Sequence, residues 1–253
     1  MEPDTVAVRV DNFTKVYDQR TAVDRLSFDV QRGEILGLVG PNGSGKTTTL
    51  RCISGILPPT SGSVLILGHD VVKDPIAAKR NLAIVADDPN LFESLTIWEH
   101  LEFSAQVFGL QDWQARAEGL LEEFEITDRR QSLAADLSRG MRQKVAICAA
   151  FLHEPAVLLL DEPLTGLDPH AIRNLYAALE RQAKEGTAVI VSSHLLGQIS
   201  KLCSRFLIIK NGRALQAGTI DEIRSQLDAL SDDASLEDIF FHATDIGDET
   251  DAS

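Results

Sequence analysis

Long apolar runs are missing from this sequence. None reaches the ~18 residues that suggest a membrane-spanning helix, so nothing in the chain is read as crossing a bilayer. Positive charge is also scarce, with 24 Lys and Arg against 38 Asp and Glu and a formal net charge of -14. That balance argues against general nucleic-acid binding, which wants a basic stripe. It argues equally against docking on anionic lipid through basic patches. Any membrane association is therefore expected to run through a protein partner. The start, "MEPDTVAV", lacks the basic-then-apolar pattern of a secretory signal. Only three cysteines occur, Cys52, Cys148 and Cys203, without metal-ligand spacing. Reduced thiols in a cytosol are the expectation.

The 253 residues, 44% hydrophobic, are enough for one large α/β domain or two small ones. Acidity is concentrated at the end: residues 228–253 hold nine Asp or Glu and no Lys or Arg, and without them the formal charge would be -5. "VAVRV" at 6–10 and "LSFDV" at 26–30 alternate with the period of strands. "EILGLVG", "VLLLD" and "AVIVSS" are continuous apolar runs, as in strands buried on both faces. "RFLIIKNGRALQAG" reads as a hairpin turning at Asn211-Gly212. Helical periodicity covers 45–54, 97–107, 113–124, 139–152 and 170–184. Alternating strands and helices imply a mainly parallel sheet covered on both sides. The helical stretches between 96 and 152 interrupt that alternation and imply an inserted helical subdomain.

"GPNGSGKTT" (Gly40, Pro41, Asn42, Gly43, Ser44, Gly45, Lys46, Thr47, Thr48) fits G-x-x-x-x-G-K-[ST], with a predicted strand before it and a helix after it. The glycines let successive backbone N–H groups turn inward toward phosphate oxygens, and the helix start adds positive potential. Lys46 is expected to reach the outer phosphates and the Thr47 hydroxyl to ligate Mg²⁺. "VLLLDEP" supplies the second half: Asp161 for the Mg²⁺ shell at the strand end, and Glu162 placed to polarise an attacking water. His194 in "SSHLL" lies just beyond another strand, where an imidazole can sense the terminal phosphate. "LSRGMRQK" at 137–144 gathers Arg139, Arg142 and Lys144 around the start of a helix. Its cations either solvate a helix face or await an anion that the chain does not hold alone.

These motifs in this order resemble the ATP-binding cassette family, over residues of about 6 to 225. The resemblance implies a P-loop NTPase core with a mainly parallel sheet, an N-terminal antiparallel β subdomain and an inserted α-helical subdomain near 89–153. The cassette itself would occupy 1–227, followed by an acidic extension, 228–253. It implies ATP and Mg²⁺ as ligands, with Tyr17 stacking on adenine. "LSRGMRQK" looks like the family's signature, and "TGLD", ending at Asp168, like its D-loop. By the same resemblance Ser138 and Gly140 meet the γ-phosphate held by a second cassette chain, packed head to tail. An integral membrane subunit, a place at the cytoplasmic face of the membrane and no nucleic-acid partner are the further implications. The signature departs from the common form at Arg139, usually glycine, and Met141, usually glutamine. Asp87 in "VADDPNLF" stands where the family usually has a glutamine linking Mg²⁺ to the membrane subunit. "DDPNLF" and "SRGM" resemble a branch of bacterial exporters with separate membrane polypeptides. Rival classes are a soluble cassette ATPase of DNA repair or translation, which usually carries coiled coils or two cassettes per chain, and a metabolic P-loop kinase, which lacks the signature helix. A regulatory cassette with little turnover is a third: Glu162 and His194 argue against it, and Asp87 keeps it open.

Overall fold

The protein's structure, a computed structural model, describes residues 5–226, 235 and 237–242. In chain order the elements are β1 (Val6–Tyr17), β2 (Arg20–Gln31), β3 (Ile35–Val39), α1 (Lys46–Ile53), β4 (Ser61–Ile66), β5 (His69–Asp70), α2 (Pro75–Arg80) and β6 (Leu82–Val85). Three helices follow without an intervening strand: α3 (Ile97–Phe108), α4 (Gln114–Glu123) and α5 (Arg139–Leu152). Then come β7 (Val157–Asp161), α6 (Pro169–Lys184), β8 (Ala188–Ser193), α7 (Leu196–Ile199), β9 (Arg205–Lys210), β10 (Arg213–Gly218) and α8 (Ile220–Gln226).

The continuous apolar runs form the centre of a six-stranded sheet ordered β10-β9-β3-β8-β7-β6. Its strands are parallel except for β10, which pairs antiparallel with β9 at the edge. Successive strand side chains point to opposite faces, and here both faces are dry. Ile35, Val39, Leu158, Leu160, Val189 and Val191 enter one core cluster, together with side chains of α3 to α6. Leu36, Leu38, Val157, Leu159, Ala188 and Ile190 enter the other, with α1 and the second sheet. That second sheet, ordered β2-β1-β4-β5, is antiparallel throughout. The expected fold class is thus the one observed.

Local chemistry sets the element ends. Thr96 and Glu99 form a reciprocal capping box at α3, and Ser138 caps α5 by accepting from Met141 N. The expected hairpin turns at Asn211 and Gly212, whose φ of 50° and 78° suit a two-residue loop. All three cysteines are buried and unpaired. The acidic extension lies mostly outside the described residues. Residues 237–242 within it are helical, and Ile239 is fully buried in the cluster that also holds Leu196, Ile199 and Ile223.

Candidate functional site

The loop between β3 and α1 turns through Gly43 and Gly45, both left-handed at φ 80° and 108°. A side chain at Gly45 would put its Cβ 2.6 Å from Ala22 O, so the loop can pass β2 only as glycine. The β9–β10 turn braces it from the other side, with Gly212 N donating to Ser44 O at 2.9 Å. Lys46 opens α1 and is almost fully buried; its ammonium donates to Gly40 O at 2.8 Å and Pro41 O at 3.3 Å. Burial pushes that ammonium below the usual lysine value, while Glu162 and Asp161 pull it back.

Asp161 ends β7 directly opposite Ser192 of β8, and the Ser192 hydroxyl donates to Asp161 Oδ1 at 2.6 Å. The next residue, Glu162, has φ 48°, a left-handed conformation costing on the order of 1 kcal/mol outside glycine. It is held there by its N–H, which donates to both Ser192 O and Ser192 Oγ. Its carboxylate lies between two cation-capable groups: Oε1 is 3.7 Å from Lys46 Nζ and Oε2 is 2.9 Å from His194 Nδ1. Ser192, which the sequence motifs do not single out, therefore orients both acids. The signal for it was the position of "SS" at the end of a strand parallel to "VLLLD".

A cleft of about 470 Å³ collects Tyr17, Asn42, Gly43, Gly45, Lys46, Thr47, Thr48, Asp87 and Glu162. Arg20 and Ala22, which sequence reasoning missed, also line it. Tyr17 is 40% exposed, with Lys15 Nζ 5.2 Å from its ring centroid. The donor set suits a phosphate ligand: a glycine cradle, a desolvated ammonium, and Thr47 and Thr48 in the cleft lining. Among the described residues no group of three or more His, Cys, Asp or Glu is arranged to hold a metal. Thr47, Asp161 and Asp87 instead offer hard oxygen donors beside the cradle, which suits a Mg²⁺ held largely by phosphate and water.

Ser138, Gly140 and Asp168 do not line this cleft. Asp168 caps α6, its Oδ1 accepting from His170 N and Ala171 N at 2.9 Å; the Ala171 bond above all, then the nearby Lys144 ammonium and the His170 bond, hold its carboxyl below the usual range. Gly140 lies so close to the loop between β7 and α6 that a Cβ would sit 2.4 Å from Gly166 O. The three cations around Gly140 are each paired within the chain: Arg139 with Asp87, Arg142 with Glu93, and Lys144 with Asp168. The expectation of cations awaiting an anion from outside is corrected to that extent. Arg139 and Asp87, two of the three positions that depart from the family pattern, are each other's partners at 2.9 Å.

A family model described as "ABC transporter" matches residues 23–165. "ABC-type transporter ATP-binding protein EcsA" of Bacillus subtilis is 37% identical over 237 residues, covering 93% of this chain and 95% of that protein. "SkfA peptide export ATP-binding protein SkfE" of the same species is 34% identical, covering 87% and 92%. "Daunorubicin resistance ATP-binding protein DrrA3" of Streptomyces coeruleorubidus is also 34% identical, covering 87% and 70%. A solved "Structure of ATP binding subunit of ABC transporter" superposes with a TM-score of 0.90 at 36% identity, covering 94% of this chain and 99% of that one.

Proposed function

The chain belongs to the ABC transporter family, as an ATP-binding protein, and we propose that it is the ATP-hydrolysing subunit of an exporter whose membrane-spanning part is a separate polypeptide. The observation that carries this reading is Glu162, which lines the cleft and is held between Lys46 and His194. Lys46 exchanges its backbone carbonyls for phosphate oxygens when nucleotide is bound. Thr47, Asp161 and Asp87 are the residues that would hold Mg²⁺, which would supply neutralising charge to the phosphates. Glu162 orients and polarises the attacking water, and His194 keeps that carboxylate aimed into the cleft. The Tyr17 ring offers a stacking face for adenine.

Ser138, Gly140 and Asp168, away from the cleft of their own chain, complete the cleft of a second cassette chain packed head to tail. Capping by Ser138 leaves the α5 start well formed, and such a helix end favours an anion. The relatives named for peptide export and for daunorubicin resistance support export as the direction. Among the described residues no helix is long and apolar enough to cross a membrane, so the substrate path belongs to the partner. A second cavity of about 460 Å³, lined by Ala86, Pro89, Leu91, Phe108 and His153 among others, is where that partner docks, on the cytoplasmic face. Glu162→Gln tests the reading: it should keep ATP binding, slow hydrolysis severely and accumulate an ATP-bound dimer. If that variant hydrolyses ATP like the wild type, Glu162 does not have the role assigned to it.

A further inference from the structure

Asp87 and Arg139 are 52 residues apart in sequence and meet at the rim of the phosphate cleft, with Arg139 Nη2 2.9 Å from Asp87 Oδ1. Arg139 is the first residue of α5, and no acidic residue stands in that first turn. A cation there opposes the helix dipole, so helix stability does not account for it. Its aliphatic stem lies over the backbone of Gly166, where an added Cβ would find Arg139 Cγ and Cδ at 3.5 Å. The guanidinium is thereby directed at the cleft rim and at one carboxylate.

Asp87 is an awkward charge in its position. It lines the cleft beside Lys46, Thr47 and Glu162. An uncompensated carboxylate facing triphosphate disfavours nucleotide entry, whereas the same carboxylate beside a divalent cation is favourable. One side chain meets both demands only by changing partner. The bridge is suited to exchange, because its side chains are 53% and 48% exposed. Exposed pairs of this kind contribute no more than about fivefold to an equilibrium. Arg142, by contrast, grips Glu93 through two 2.8 Å bonds, and Glu93, unlike Asp87, does not line the cleft.

We infer that Arg139 is a positioning residue for the metal: with the cleft empty it holds and neutralises Asp87, and Asp87 exchanges the guanidinium for Mg²⁺ when nucleotide and metal are bound. The exchange frees a positive charge at the start of α5, on the surface that the second cassette chain would approach. In this way metal occupancy of one site is reported to the signature helix of the same chain. The inference rests on the ATPase reading above.

The test is calorimetric titration of the full chain with ATP across free Mg²⁺ from chelated to millimolar, for wild type, Arg139→Gln, Arg139→Lys, Asp87→Asn and the Arg139→Gln/Asp87→Asn double variant. Arg139→Gln should lower the free Mg²⁺ that half-saturates metal-dependent ATP binding by about three- to fivefold, since Asp87 no longer has a competing partner. Arg139→Lys should restore most of the wild-type value. In the Asp87→Asn background the same Arg139→Gln change should shift it by less than about twofold. Equal shifts in both backgrounds, or no shift in either, would overturn the inference, because Arg139 would then act as a remote charge or a structural one. Asp87→Asn alone provides an independent reading should Arg139→Gln fold poorly: ATP binding in chelator should tighten about two- to fivefold, and unchanged binding counts against the exchange. Wild-type chain that binds no ATP even at saturating Mg²⁺ would sink the ATPase reading as well, whereas ATP binding with an additive cycle sinks the inference alone.

Discussion

Replacing Gly140 by alanine separates the packing account of the signature region from a propensity account. Gly140 lies in the first turn of α5, and alanine there should stabilise the helix by about 0.5–1 kcal/mol on backbone grounds. The structure predicts the opposite. The added Cβ would stand 2.4 Å from Gly166 O, roughly 1 Å inside ordinary van der Waals contact, and the obstacle is backbone rather than a movable side-chain tip. Overpacking of that kind costs about 1–3 kcal/mol, and the 2.4 Å approach to a backbone oxygen places this site toward the upper end, so a net loss of about 1–2.5 kcal/mol remains. Gly119, in the interior of α4, is the control, because its added Cβ meets nothing within 4 Å. Gly119→Ala should gain about 0.5–1 kcal/mol. Urea unfolding at 25 °C, with both variants beside wild type, reads the two effects as opposite displacements of the midpoint. A Gly140→Ala chain as stable as wild type would refute the close approach of α5 to the Gly166 loop, and with it the path that aims Arg139.

The Asp168 cap gives a pH-dependent prediction. Its folded pKa is depressed, so its contribution is present above the unfolded value near 3.8 and is lost as pH falls through the folded value. Asp168→Ala should therefore cost about 1 kcal/mol at pH 7, and the gap to wild type should close below about pH 4 in urea titrations; a gap constant to pH 2.5 would count against the cap. Ile239, fully buried although it belongs to the acidic extension, should cost about 2–4 kcal/mol as alanine. Removing residues 228–253 should lower the melting temperature yet leave nucleotide affinity within about twofold, since the cleft draws on none of them; a larger affinity loss in a folded truncation would give the extension a part in the site.

Much of the architecture was legible because the determining signals are local. "VLLLD" and "AVIVSS" became β7 and β8 with the expected bounds, since a strand dry on both faces leaves an uninterrupted apolar run. The helix expected over 139–152 is α5 as observed, fixed by Ser138 at its start. Less was legible where tertiary context decides. β6 is a four-residue strand whose partner β7 begins 75 residues after the start of β6, and β5 has only two residues. Neither is long enough to show a period. The sequence also could not show that Arg139, Arg142 and Lys144 find carboxylates 52, 49 and 24 residues away, which turned an expected anion-seeking cluster into three internal pairs. Ser192 escaped notice for the same reason: its role comes from lying opposite Asp161 in a parallel register.

The central claim is that the cleft around Lys46 turns over ATP, and the most direct measurement is phosphate release by purified wild type and Lys46→Ala at saturating Mg²⁺ and ATP, with the membrane partner present. Lys46 is the buried ammonium whose carbonyl partners line the cradle, and losing a charge-assisted contact to a transferring phosphate should reduce turnover at least a hundredfold, on the order of 3 kcal/mol of transition-state stabilisation. Turnover in Lys46→Ala equal to that of wild type would contradict the account, because phosphate transfer would then be taking place without the ammonium that the cleft buries.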